Sequence, residues 1–294
     1  MLRLTRSILR HLVGYGVVFP LILLGIALQA LIAGPLFGNR RTIPNLIFRA
    51  CALVFAVRFT LSPTSAPFAA GPTLFLSNHL SRLDFAGLPL FHDAAVMMNA
   101  MFFRMPVLGP IIRLFAHSAG IIATEQRQHG KARDQQQLAE AMDHGRNLFI
   151  FAEGIQTDGL RLLRYSPGAA EIFYDPALRA RFPALQTARL QPVVLRVKTI
   201  EGVGVLHDPA KWGRYSLSRG RSSIFSGMSR LSLTGSITLE FLILPALDPR
   251  DFASAADLVN EAHAQTRAII APDQTRTMTR AQWKSRLDAR DFTL

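Results

Sequence analysis

The chain has 294 residues, 49% of them hydrophobic, and a formal net charge of +13. That length accommodates one α/β domain with an appendage, and the apolar content, high for a soluble enzyme, points toward lipid contact. The basic balance does not point to nucleic acid: there is no basic helix interleaved with stacking aromatics, no zinc-finger spacing and no RNA-binding aromatic motif.

The charge is unevenly spread. No acidic residue precedes Asp84, whereas Arg3, Arg6, Arg10, Arg40, Arg41, Arg49, Arg58 and Arg82 do, so eight of the thirteen net charges fall in this stretch. A basic, acid-free, apolar segment reads as an element attracted to anionic lipid headgroups. From Leu12 to Phe37 there is no charged side chain, and Gln29 is the one strongly polar residue. At ~1.5 Å per residue, a helix of this length reaches across a ~30 Å hydrocarbon core. Pro20, Pro35 and four glycines permit a kink or a re-entrant hairpin. The run exceeds the ~7–15 residues of a signal-peptide core and lacks a small-x-small cleavage site, so an uncleaved anchor is expected. Arginines on both sides leave its orientation open. Residues 43–59 form a second apolar stretch, interrupted by Asn45, Arg49 and Arg58, and read as an interfacial helix running into a strand. Cys51, the sole cysteine, excludes an intramolecular disulfide and reads as a packing residue.

Ser62-Pro63-Thr64-Ser65-Ala66-Pro67 looks like a linker, giving an anchor over residues 1–62, a catalytic domain over 63–272 and a basic C-terminal tail over 273–294. Strands are predicted at Thr73–Ser77, Ala94–Asn99, Gly120–Thr124, Asn147–Ala152, Leu190–Val197 and Ile237–Leu244, with helices around 83–92, 131–144 and 254–271. Short apolar strands alternating with helices imply an α/β fold, a mixed, largely parallel sheet covered by helices.

Two strand ends carry the chemistry. The strand at Thr73–Ser77 runs into Asn78-His79-Leu80-Ser81-Arg82-Leu83-Asp84. In an open α/β sheet, ligands bind beyond the carboxyl ends of strands. If a helix begins just after His79, Asp84 lies in its early turns and folds back toward the imidazole. A neutral histidine held on one ring nitrogen by an acid can take a proton from a hydroxyl on the other. The spacing alone is equally compatible with a histidine that caps a strand and an aspartate that stabilises a helix start. The strand at Asn147–Ala152 likewise ends in Glu153-Gly154, followed by a polar turn with Thr157 and Asp158. His79 and Glu153 would share one sheet edge, and Gly154 would let backbone amides approach a ligand. The bland reading of Glu153 is a solvated strand exit.

Together these segments resemble the glycerolipid acyltransferase family, which includes the lysophosphatidic acid acyltransferases. Its first motif is a histidine, four variable residues and an aspartate; His79 and Asp84 take those places, implying a base and its partner, with the adjoining Asn78 expected to bind substrate. The third, Phe-Pro-Glu-Gly-Thr, is matched at Phe151, Glu153 and Gly154, which the resemblance links to acceptor binding. The second runs from a glycine to a phosphate-holding arginine, here Gly120 to Arg127, and the fourth is matched by Gln191-Pro192-Val193-Val194. Ala152 replaces the proline and Ile155 the threonine of the third motif, and Arg127 falls one residue late, behind Gln126.

The resemblance implies a glycerol-3-phosphate acyltransferase-like fold and a membrane-bound O-acyltransferase, on the cytoplasmic face of a bacterial inner membrane. It implies acyl-CoA or acyl carrier protein as donor and 1-acyl-glycerol-3-phosphate as acceptor. The departures keep other acceptors in view, a lyso-ornithine lipid or another lysophospholipid, as well as a non-catalytic lipid-binding relative. Arg104, Arg161 and Arg164 compete with Arg127 for a headgroup, and Met97, Met98, Met101, Phe102 and Phe103 read as core rather than an acyl channel. No motif for a metal or nucleotide cofactor is present.

Overall fold

The computed structural model describes Thr5 and residues 8–9, 12–33, 36, 42–81, 83–91, 94–104, 106, 109–110, 113–114, 116, 121–124, 131–206, 235–271 and 277–289. Short apolar runs between turn residues form β1 (Val57–Leu61), β2 (Thr73–Ser77), β3 (Ala95–Asn99), β4 (Ile122–Thr124), β5 (Leu148–Phe151), β6 (Leu162–Leu163), β7 (Arg189–Ile200), β8 (Val203–Gly204), β9 (Ile237–Ile243) and β10 (Thr277–Met278). The helices are α1 (Phe19–Leu28), α2 (Thr42–Val54), α3 (Lys131–Asp143), α4 (Pro176–Arg181), α5 (Ala255–Ile270) and α6 (Arg280–Ala289).

The main sheet has the order β1-β9-β7-β2-β5-β3-β4, with β8 hanging from β7. Strands β7, β2, β5, β3 and β4 are mutually parallel, while β9 runs antiparallel to β7 and parallel to β1. The sheet is thus mixed and largely parallel, as expected.

Alternate residues of a strand face opposite sides, and both sides are covered. Leu74, Leu76, Leu148 and Ile150 pack with Leu138 and Met142 of α3 and Leu258 and Val259 of α5. Phe75, Phe149 and Phe241 face the other way and meet Phe91 and, from α2, Phe48. Phe91 lies edge-on to Phe149 and Phe241 at 4.7 and 4.9 Å. Each fully buried aromatic of this kind contributes roughly 1.5–3 kcal/mol, so the floor beneath the strand ends is rigid. A 3-10 helix, Asp84–Phe91, lies on this floor. A Cβ at Gly87 would sit 2.7 Å from Phe59 Cδ1 and closer still to Phe241, so only glycine lets the helix approach that far. The helix begins at Asp84 rather than directly after His79, and Leu80 and Ser81 are in irregular backbone.

Among the described residues no helix is long and apolar enough to cross a membrane. Within the apolar run 12–37, α1 has ten residues and is flanked by π-helical turns at Gly14–Val18 and Gln29–Ala33. It packs on α2, whose Pro44, Ile47 and Phe48 are buried. The Phe48 ring meets Phe85 edge-on at 5.5 Å. Strand β1 is paired with β9, so the catalytic sheet starts before residue 63. At the other end, β10 pairs with β6 and Trp283 of α6 is fully buried, so the described part of the basic tail is docked.

Candidate active site

Strands β2 and β5 pair with Ser77 opposite Phe151, and the Ala152 amide donates to the Ser77 carbonyl at 2.9 Å. Residues two beyond each strand, His79 and Glu153, therefore emerge at one edge of the sheet, as the sequence suggested.

His79 Nδ1 lies 2.8 Å from Asp84 Oδ2. The same oxygen accepts from the amides of Leu80 and Ser81 at 2.6 and 2.8 Å, and Oδ1 accepts from Ser81 Oγ at 3.0 Å. With Oδ2 accepting from two backbone amides and Oδ1 from a hydroxyl, Asp84 is placed as an acceptor, which suits the His79 tautomer with its hydrogen on Nδ1 and its lone pair on Nε2. Asp84 is fully buried while the His79 side chain retains 17% exposure, so the acid is sealed and the base is reachable. The imidazole stacks on Phe151 at 4.2 Å and 19°, which fixes the ring plane.

Glu153 is not a solvated strand exit. It is fully buried; Oε2 accepts from the His79 amide at 2.6 Å and Oε1 from the Leu163 amide at 2.8 Å. Burial pushes its carboxyl up to about 8, against the pull of those two hydrogen bonds and with a further push from the charges of Asp158 and Asp84. The His79 carbonyl accepts from the Thr157 amide at 2.8 Å. Both sides of the His79 peptide are thus held by the loop after β5. From that loop the Gln156 amide nitrogen reaches within 3.5 Å of His79 Nε2, beside the nitrogen that would meet a substrate hydroxyl.

Asn78 pairs its amide with the backbone of Leu195, donating at 2.9 Å and accepting at 2.8 Å. It braces β2 against β7, with both polar atoms of its side chain engaged. Gly154 has φ +69, and the space where its Cβ would project holds the Arg280 guanidinium, so here its bareness serves packing by the chain itself. Arg161 is buried, paired with Asp158 and placed over the Trp283 ring at 5.7 Å; it is a structural cation. Arg104 and Arg164 are exposed. Gly120, Gln126 and Arg127 lie outside the described residues. Met97 packs against the core, and Phe103 is buried. Burial on α2 pushes the Cys51 thiol up to about 11, which suits a packing residue. Among the described residues, no group of three or more His, Cys, Asp or Glu side chains could hold a metal ion.

Ser81, Gln156, Arg280 and Trp283 were not marked by spacing. Serine two residues beyond a strand-end histidine is unremarkable in sequence. A tryptophan in a polar segment, one of two in the chain, was the available hint for the C-terminus.

The structure thus brings a histidine paired with a buried acid and a Glu-Gly loop to one edge of parallel strands. Residues 57–196, which include His79, Asp84, Glu153 and Gly154, match the family described as Acyltransferase. The chain is similar to the lyso-ornithine lipid O-acyltransferase of Rhodobacter capsulatus, 25% identical over 243 residues covering 81% of this chain and 80% of that protein. It is also similar to the lyso-ornithine lipid O-acyltransferase of Brucella abortus, 25% identical over 169 residues. That match covers 57% of this chain and 60% of the Brucella protein, less than two thirds of its length. The fold is that of the 1-acyl-sn-glycerophosphate acyltransferase PlsC from Thermotoga maritima. The TM-score is 0.55 at 13% identity, covering 91% of this chain and 96% of that one.

Proposed function

We propose that this chain moves a fatty acyl group from a thioester, acyl-CoA or acyl carrier protein, to the free hydroxyl of a lysolipid at the cytoplasmic face of a bacterial inner membrane. The observation that carries this reading is the His79–Asp84 pair, with Nδ1 bound to a buried acid at 2.8 Å and Nε2 at the accessible side. His79 Nε2 takes the hydroxyl proton as the oxygen bonds to the thioester carbonyl carbon. Asp84 stabilises the imidazolium that forms. The C–S bond then breaks and the proton passes to the departing thiolate, so no acyl-enzyme is required.

Of the acceptors, a lyso-ornithine lipid is favoured. Both relatives described above bear that name, and the third motif here lacks its usual proline and threonine. The second reading, 1-acyl-glycerol-3-phosphate, rests on the order and separation of the four motifs. Arg127 is the proposed headgroup contact for either. Membrane attachment is supported by exposed Leu21, Leu24, Leu28 and Leu31, three or four residues apart on one helical path, and by exposed Leu46 and Leu53 on α2. Such a patch beside an acid-free basic sequence suits anionic bilayer surfaces.

The test is incubation of the full chain with labelled acyl thioester and a panel of lysolipids in anionic vesicles. Label is expected in ornithine lipid; label in phosphatidate alone would reassign the acceptor, and label in no lipid would remove the reading. Flotation of the same vesicles should carry the protein upward, and protein left at the bottom would remove the attachment.

A further inference from the structure

Three backbone carbonyls of the loop after β5 are held by one stretch near the C-terminus. Arg280 Nε donates to the Glu153 carbonyl at 2.5 Å, and its Nη2 donates to the Ala152 carbonyl at 3.3 Å. Trp283 Nε1 donates to the Gln156 carbonyl at 2.9 Å. The Trp283 ring is fully buried and lies beneath the Arg161 guanidinium, whose partner Asp158 belongs to the same loop. Strand β10 adds a parallel ladder to β6, and the Arg164 amide donates to the Met278 carbonyl at 3.1 Å.

The braced loop is the one that frames His79. It supplies the acceptor for the His79 amide, the donor for the His79 carbonyl and the Gln156 amide beside Nε2. Within the loop, Thr157 and Asp158 tie residues 157–161 together, and the C-terminal segment adds its bonds over residues 152–156. A proline at position 152 would fix φ, but Ala152 stands there and uses its N–H on Ser77, a bond no proline could make. Ile155 brings no hydroxyl to tie the turn. An unrestrained residue costs about 1–2 kcal/mol to order, and charge-assisted hydrogen bonds to buried carbonyls are the stronger kind.

We propose that Arg280 and Trp283 are positioning residues for the His79 base, adding from the C-terminal segment to the order of the loop that frames it. The functional half of this inference rests on the acyl-transfer reading; the structural half does not. Arg280 acts through the Ala152 and Glu153 carbonyls, and Trp283 acts through Gln156. Neither touches the reacting atoms.

The experiment compares the full chain with Arg280→Ala, Arg280→Lys and Trp283→Phe in lipid–detergent micelles. Trp283→Phe removes the N–H together with the five-membered ring of a fully buried side chain, so its thermal stability is measured alongside. Amide exchange over residues 153–163 should accelerate about tenfold or more in Arg280→Ala, with β7 unchanged. In the same variant kcat should fall about tenfold while the thioester KM stays within about twofold. Trp283→Phe should show a smaller change in the same direction, about threefold, and Arg280→Lys should stay closer to alanine than to arginine because lysine lacks the fork. Unchanged loop exchange in a folded Arg280→Ala or Trp283→Phe protein overturns the brace. Faster exchange with full kcat overturns its link to His79. A wild-type chain that acylates no lysolipid sinks the reaction reading instead, while exchange still decides the brace.

Discussion

The two strand-end loops of the site are built on opposite plans. The first, from Asn78 to Asp84, closes on itself: the carboxylate of Asp84 meets His79, Leu80 and Ser81 at separations of five, four and three residues. The second, from Ala152 to Leu163, has local ties at Asp158–Arg161 and Glu153–Leu163 but is also held from far along the chain. Glu153 reaches 74 residues back to His79, and its carbonyl and that of Gln156 are each capped from 127 residues ahead. The base and its acid form a local unit, whereas the frame that aims them is assembled from distant parts of the chain. Damage to the first loop should therefore strike chemistry, and damage to the second should strike both order and chemistry.

Asp84→Asn breaks the local unit from within. Asparagine presents one acceptor oxygen where Asp84 uses two, and its amide nitrogen must face a donor. A fall in kcat of about a hundredfold or more is expected with KM little changed. A variant within about threefold of wild type would show that the imidazole is oriented by something else.

Glu153→Gln strikes the second loop and should act less on rate, lowering kcat by about tenfold, because one amide of His79 or Leu163 loses its acceptor. It also carries a pH signature. The folded carboxyl holds its proton up to about 8 whereas the ordinary value is 4.5. Between these values the folded state binds more protons than the unfolded state, so stability falls as pH rises. The contribution is complete below 4.5 and lost as pH passes through about 8. Thermal melts from acid to alkaline pH should show this decline in the wild type and a flatter course in Glu153→Gln. Parallel curves would mean that Glu153 does not titrate across that window.

The contrast between the loops also explains what could be read from the sequence. The strands β2 and β5 and the His79–Asp84 pair were legible because apolar runs and a five-residue spacing are local signals. The parallel sheet followed from strand–helix alternation, and with it the shared edge of His79 and Glu153. The work done by Glu153 was not legible, because a glutamate at a strand end gives no sign of which amides it will meet. Asn78 was equally opaque, since its partner, Leu195, is 117 residues away. The docking of the C-terminal segment depends on where Trp283 finds a buried slot, and the polar residues around it disguise that fact. Asp84 was expected in an early helical turn and does open the 3-10 helix; that its carboxylate also binds the amides preceding the helix was not legible.

The central claim is that Nε2 of His79 takes the proton from a lysolipid hydroxyl. The most direct measurement is transfer of labelled acyl chain from a thioester to lyso-ornithine lipid by wild type and His79→Ala, matched for vesicle attachment and thermal stability. The account expects labelled product from the wild type and a loss of about a hundredfold to ten-thousandfold in the variant. Comparable product from an attached, folded His79→Ala chain would contradict it.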